Sequence, residues 1–180
     1  MENAVYHPDD GKLERVFCLC LGTGRFLRAT FVPLVVSKGD VVLLQPRGDA
    51  FCQKMDATGG KYDIETVNPD GSVKVDSVQL RGWAGAVSTP GGSGQVAVLD
   101  AARAGHFSGL RLLGVGLTEA GVEAPGSPAV SFLADLLHAL FEGGCRALSV
   151  VCTDNLPGSG ARLRAAVGRA AAGGAAAAGA

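Results

Sequence analysis

Short, wholly apolar runs alternate along this chain with longer amphipathic stretches. Val16-Phe17-Cys18-Leu19-Cys20-Leu21 carries no charged or strongly polar side chain, the pattern of a strand buried on both faces of a parallel sheet. Arg25 to about Lys38 reads as a helix. Pro33 falls inside it and removes one backbone donor, which predicts a kinked or shortened helix. Gly39-Asp40 is a turn, and Val41-Val42-Leu43-Leu44 is a second buried strand. From Pro46 to Gly60 the pattern is irregular and predicts no element. Lys61 to Val67 and Val73 to Leu80 then alternate polar and apolar residues around the turn Asn68-Pro69-Asp70-Gly71. This predicts a β-hairpin with one wet face, inserted at about 61–80 into a strand–helix rhythm. With Trp83, the hairpin is expected to cover one edge of the sheet.

The rhythm then resumes. Val96 to Ala104 suits a short helix and Leu110 to Val115 a third buried strand. Pro128 to Phe141 places Val130, Leu133, Leu136, Leu137, Leu140 and Phe141 at helical spacing, and Gly143-Gly144 ends that helix. Ala147 to Cys152 is a fourth strand and Gly160 to Arg169 a final helix. Beyond Ala170 the chain is alanine and glycine, a composition that predicts disorder because it buries too little surface to offset its own ordering. The fold expected is α/β: a Rossmann-like, mostly parallel sheet with an inserted hairpin. The division expected is a polar N-terminal tail at 1–14, the α/β domain at 15–170 and a disordered tail at 171–180, where a domain boundary would fall.

Composition narrows the function classes. A chain of 180 residues suffices for one domain with its own core. Sixteen Lys and Arg against seventeen Asp and Glu give a net charge of −1, which argues against a nucleic-acid partner. The five cysteines, Cys18, Cys20, Cys52, Cys145 and Cys152, form no C-x-x-C and read as core residues in a reducing compartment. Met1 to Lys12 lacks the apolar stretch of a signal peptide, and no run is long enough to span a membrane. A cytoplasmic protein without a membrane partner is expected. His7, His106 and His138 do not cluster with other ligands, so no metal site is expected.

The first buried strand leads directly into Gly22-Thr23-Gly24-Arg25-Phe26-Leu27-Arg28. A strand, a G-x-G and a helix in succession open a nucleotide-binding α/β unit. The first glycine permits the turn, the second lets a pyrophosphate approach bare backbone, and the helix start offers free N–H groups. Leu27 stands where a dinucleotide fingerprint has its third glycine. Arg28 suits either a phosphate or a surface carboxylate. Asp154-Asn155 reads as a helix cap, which is compatible with a functional role.

Three segments, in order, resemble the N-terminal domain of the long-chain mannitol dehydrogenases, a family that includes the fructuronate, tagaturonate and altronate reductases. They are Gly22-x-Gly24-x-Phe26-x-Arg28-Ala29, Gly116-Leu117-Thr118-Glu119-Ala120-Gly121, and Cys152-Thr153-Asp154-Asn155-Leu156-Pro157-Gly158-Ser159-Gly160. The resemblance implies a domain binding NAD, with NADP possible. It implies hydride transfer between a nicotinamide and a secondary alcohol or ketone of a sugar alcohol or sugar acid. It places Gly22, Thr23, Gly24, Arg25 and Phe26 on the pyrophosphate and adenosine side. It sets Thr118 and Glu119 near the nicotinamide, and Asn155 where negative charge develops on the substrate oxygen.

Two departures qualify it. The family's catalytic K-x-R-x-x-N-x-x-H pattern, in a helical C-terminal domain, has no counterpart in this chain. The second strand ends in Gln45-Pro46-Arg47-Gly48-Asp49, without a carboxylate at its tip. Arg47 there favours a 2′-phosphate, Asp49 could reach a ribose, and Gln-Pro is shared with the NAD-using hexuronate reductases. Three functions stay in competition: the cofactor half of a dehydrogenase, a dinucleotide-binding module without chemistry, and an inactive fragment.

Overall fold

The computed structural model describes residues 16–154 and 157–178. Strand β1, Val16–Leu21, is followed by a helix that opens at Arg25. This helix widens into a π-helical turn at Leu27–Phe31 and closes as α1, Val32–Val36. In the wide turn the Val32 N–H donates to the Leu27 carbonyl, five residues back. Pro33 is the cause: in a regular helix its ring would meet the Ala29 carbonyl, and the wider turn relieves that conflict.

Next come β2, Asp40–Leu44, and α2, Ala50–Thr58. Helix α2 occupies the stretch expected to be irregular. Its apolar content is only Phe51, Cys52 and Met55, all buried, so its periodicity is faint over nine residues. Left-handed Gly59 ends it. The hairpin strands β3, Lys61–Val67, and β4, Val73–Gln79, pair antiparallel from Lys61↔Gln79 to Val67↔Val73 and form a separate two-stranded sheet. Both faces are largely wet, contrary to the expected half-buried pattern. Val78 is buried and Tyr62 and Ile64 are half-buried near the base, while Val67, Val73 and Val75 are exposed.

The remaining elements are β5, Gly82–Ala84; α3, Ser93–Arg103; β6, Leu112–Val115; α4, Glu119–Glu123; α5, Pro128–Glu142; β7, Ser149–Cys152; and α6, Ser159–Ala178. Trp83 lies within β5, the edge strand of the main sheet, and its indole N–H donates to Asp56 Oδ1 at 2.9 Å. Helix α6 continues past Ala170, where the sequence predicts a disordered tail at 171–180. Alanine is the strongest helix former, and here it carries the helix across Gly173-Gly174. Phe141, expected in the core, is 60% exposed and is capped by the Arg146 guanidinium, 4.2 Å from its ring centre.

The five strands of the main sheet are all parallel, in the order β5-β2-β1-β6-β7. This is a Rossmann-like doubly wound sheet, and the winding reverses between β1 and β6. Two cores flank it. On one side Leu19, Leu21, Val42, Leu44 and Leu113 pack on α3 and α5 through Val98, Phe132, Leu133 and Leu136. On the other, Cys18, Cys20, Val41 and Leu43 pack with Leu27, Val32, Phe51 and Met55. Val16 and Leu19 share a side despite being three apart, because the pairing of β1 with β2 shifts register between Val16 and Cys18. Among the described residues no helix is long and apolar enough to cross a membrane.

Candidate functional site

A cleft of about 420 Å³ opens at the carboxyl ends of the strands, where the winding reverses. The chain end of β1 supplies Gly22 and Thr23, the loop after β2 supplies Gln45, Pro46 and Arg47, and the loop after β6 supplies Gly116, Leu117 and Thr118. Open α/β sheets bind ligands in this crevice because two adjacent loops part there.

The two glycines do different work. Gly22 has φ +118°, and a Cβ on it would lie 2.7 Å from the Gly116 carbonyl oxygen. Its N–H donates to Leu44 O at 2.9 Å, and Gly116 N–H donates to Leu21 O at 2.8 Å, so three strand ends meet at this glycine. A Cβ on Gly24 would meet nothing within 4 Å. The space a side chain would fill is open, and the helix starts there: Arg28 N–H donates to Gly24 O at 3.1 Å. The N–H groups ahead of that bond precede the helical ladder.

Arg28 turns back onto its own loop rather than to a carboxylate of the described residues. Its Nε–H donates to the Thr23 carbonyl at 2.9 Å. Its guanidinium lies 5.5 Å from the Phe51 ring centre and 5.7 Å from that of Tyr62. The Tyr62 hydroxyl donates to the Arg28 carbonyl at 2.8 Å. Arg28 thus ties the glycine loop to α2 and to the base of the hairpin.

The loop after β2 is held by Gln45. Its side-chain oxygen accepts from Phe51 N–H at 2.9 Å, and its side-chain nitrogen donates to Arg47 O at 2.7 Å. Asp49 accepts from Gln53 at 3.0 Å. Arg47 is exposed, and its side chain makes no hydrogen bond or ion pair among the described residues.

Of the residues the sequence singles out, Gly22, Thr23, Arg47 and Thr118 line this cleft. Gly24, Arg25 and Phe26 follow on the exposed first turn of the helix and are not among its walls. Thr118 caps α4, its hydroxyl accepting from Gly121 N–H at 3.2 Å. Glu119 faces α6 instead: Arg162 bonds Glu119 at 2.9 Å and Glu123 at 2.8 Å. These three border a separate cavity of about 20 Å³, room for a single water. Asn155 lies outside the described residues.

Sequence reasoning missed Ser88, which also lines the cleft. It is 5% exposed, and its hydroxyl has no hydrogen-bond partner among the described residues. No sequence signal marks it, because its place depends on backbone pairing with the loop after β2.

No cysteine is both activated and exposed. Cys18 and Cys20 sit side by side on β1 with sulfurs 3.7 Å apart; their hydrogen bond lowers Cys18, which is fully buried, and together with burial pushes Cys20 well up. Burial, with Asp56 and Asp49 nearby, pushes Cys52 up to about 11. Burial also raises Cys145 and Cys152. Among the described residues no three His, Cys, Asp or Glu side chains converge as a metal site would require. Compared with known proteins, the chain matches no family model and no curated protein.

Proposed function

We propose that this cleft binds a nicotinamide dinucleotide, NAD(H) in the first instance and NADP(H) as the alternative. The carrying observation is the bare backbone of Gly22 to Gly24, set at the reversal point of the sheet and facing open space at Gly24. The pyrophosphate would rest on that backbone and on the first helical N–H groups, which attract anions. The adenosine would extend toward Gln45 to Arg47, and the nicotinamide toward Gly116 to Thr118. By its resemblance to the long-chain mannitol dehydrogenases, the domain would serve a cytoplasmic polyol or sugar-acid dehydrogenase.

The dinucleotide supplies the hydride. The cleft walls supply binding and orientation, with Thr118 and, by resemblance, Glu119 and Asn155 on the side of the reacting carbon. Reduction of a ketone also needs a proton donor at its oxygen. Among the described residues no Lys, His or Tyr lines the cleft. That donor therefore comes from outside these walls. The same observation favours a second reading, a module that holds the dinucleotide without chemistry.

Titration of the ¹⁵N-labelled protein with NADH distinguishes a working site from an empty likeness. Saturable amide shifts are expected at Gly22, Thr23 and Gly24 and at Gly116 to Thr118. Absence of saturable shifts, or shifts confined to the hairpin, contradicts the assignment. Turnover of mannitol, fructose or hexuronates, or its lack in a protein that binds NADH, separates the two readings.

A further inference from the structure

The chain lacks the carboxylate that a dinucleotide fold usually sets at the tip of its second strand to hold the adenosine ribose. Gln45 stands there, but both ends of its amide are engaged by the loop, with Phe51 N–H and Arg47 O. Asp49 is turned to Gln53 on its own helix. A ribose in this cleft would therefore need another polar group in the wall.

Ser88 is that group. The chain leaving β5 turns back at Ala86, whose φ of +49° is left-handed, a conformation that disfavours a residue with a Cβ. The turn lays the segment along the loop after β2. Ala86 N–H donates to Gly48 O at 2.8 Å, Val87 N–H to Gln45 O at 3.1 Å, and Ser88 N–H to Pro46 O at 3.0 Å. Three backbone bonds and one strained residue thus fix Ser88 in the wall beside Pro46. Its hydroxyl is then buried without a partner among the described residues, an arrangement that costs stability unless something else satisfies it. An orphaned polar group in a cleft wall, set there by a strained residue two positions earlier, is the kind of arrangement a ligand contact explains.

Resting on the dinucleotide reading, we propose that the Ser88 hydroxyl, by a χ1 rotation into the cleft, hydrogen-bonds the adenosine ribose and takes the place of the missing carboxylate. A neutral hydroxyl both donates and accepts, so it suits the ribose hydroxyls of NAD(H).

The test compares NADH binding and unliganded thermal unfolding in the wild type, Ser88→Ala and Ser88→Cys. The Cys variant keeps a side chain of the same shape, slightly larger, that hydrogen-bonds only weakly. Both variants are expected to bind NADH about tenfold more weakly, the worth of one hydrogen bond at the upper end of its range. Neither should unfold earlier, because no folded-state bond is removed. The deficit of Ser88→Ala is expected to vanish when the titrant is the 2′-deoxy or the 3′-deoxy adenosine analogue of NADH. Undiminished NADH affinity, a deficit that persists with both analogues, or a lowered unfolding temperature in both variants overturns the proposal. A wild type that binds no NADH or NADPH overturns the dinucleotide reading itself, and this assignment with it.

Discussion

At the scale of single residues, Gly22 and Gly24 look alike in sequence and are opposites in space. Gly22 is required by the fold: its φ of +118° is one that residues with a side chain rarely adopt, and a Cβ would strike Gly116 O. Gly24 is required by nothing among the described residues, since a side chain there meets open space. Gly22→Ala is therefore expected to destabilise the protein by more than about 1 kcal/mol, from the left-handed penalty plus the backbone clash. A lower thermal unfolding midpoint checks it, and an unchanged one contradicts it. The G-x-G was legible because glycine's constraint is local. Arg28 was not, since its partners Thr23, Phe51 and Tyr62 lie on three separate segments that only the fold brings together. The pairing of Glu119 was hidden for the same reason, its partner Arg162 lying on α6, a later helix.

Among elements, buried parallel strands were the easiest to read. Continuous apolar runs, from Val16 to Leu21 and from Val41 to Leu44, have few other uses. Strand β5 and helix α4 are too short for periodicity to register, and α2 has too thin an apolar stripe. The hairpin was legible as a hairpin, through its turn, but not its attachment. It is tied to the first helix by the Tyr62 hydroxyl on the Arg28 carbonyl. Burial pushes Tyr62 up to about 12, against the lowering influence of Arg28, and Cys52 in α2 up to about 11. Both are neutral acids whose folded values exceed the ordinary 10.0 and 9.0, so the unfolded chain releases these protons first. Their contribution to stability is complete below about pH 9 and is lost as pH rises toward 11 and 12. Denaturant unfolding across pH 8–12 should show this alkaline decline, smaller in Cys52→Ala than in the wild type. A pH-independent stability over that range contradicts it.

For the whole molecule, the order β5-β2-β1-β6-β7 does what no single motif can: it opens a crevice beside β1 and directs the loops after β1, β2 and β6 into it. The strand–helix rhythm foretold a doubly wound sheet. It could not foretell which walls the crevice would have, because Ser88 reaches it only through the strand-to-strand pairing of β5 with β2. Central here is the proposed dinucleotide in this crevice, its pyrophosphate reaching past Gly22 and Thr23 to the open backbone at Gly24. NADH titration of the wild type and Gly24→Val, followed by energy transfer from Trp83 and accompanied by thermal unfolding of each, tests it most directly. Saturable binding by the wild type, lost in a variant that unfolds at the same temperature, is the predicted result. Equal binding by a well-folded Gly24→Val, or none by the wild type, would contradict it.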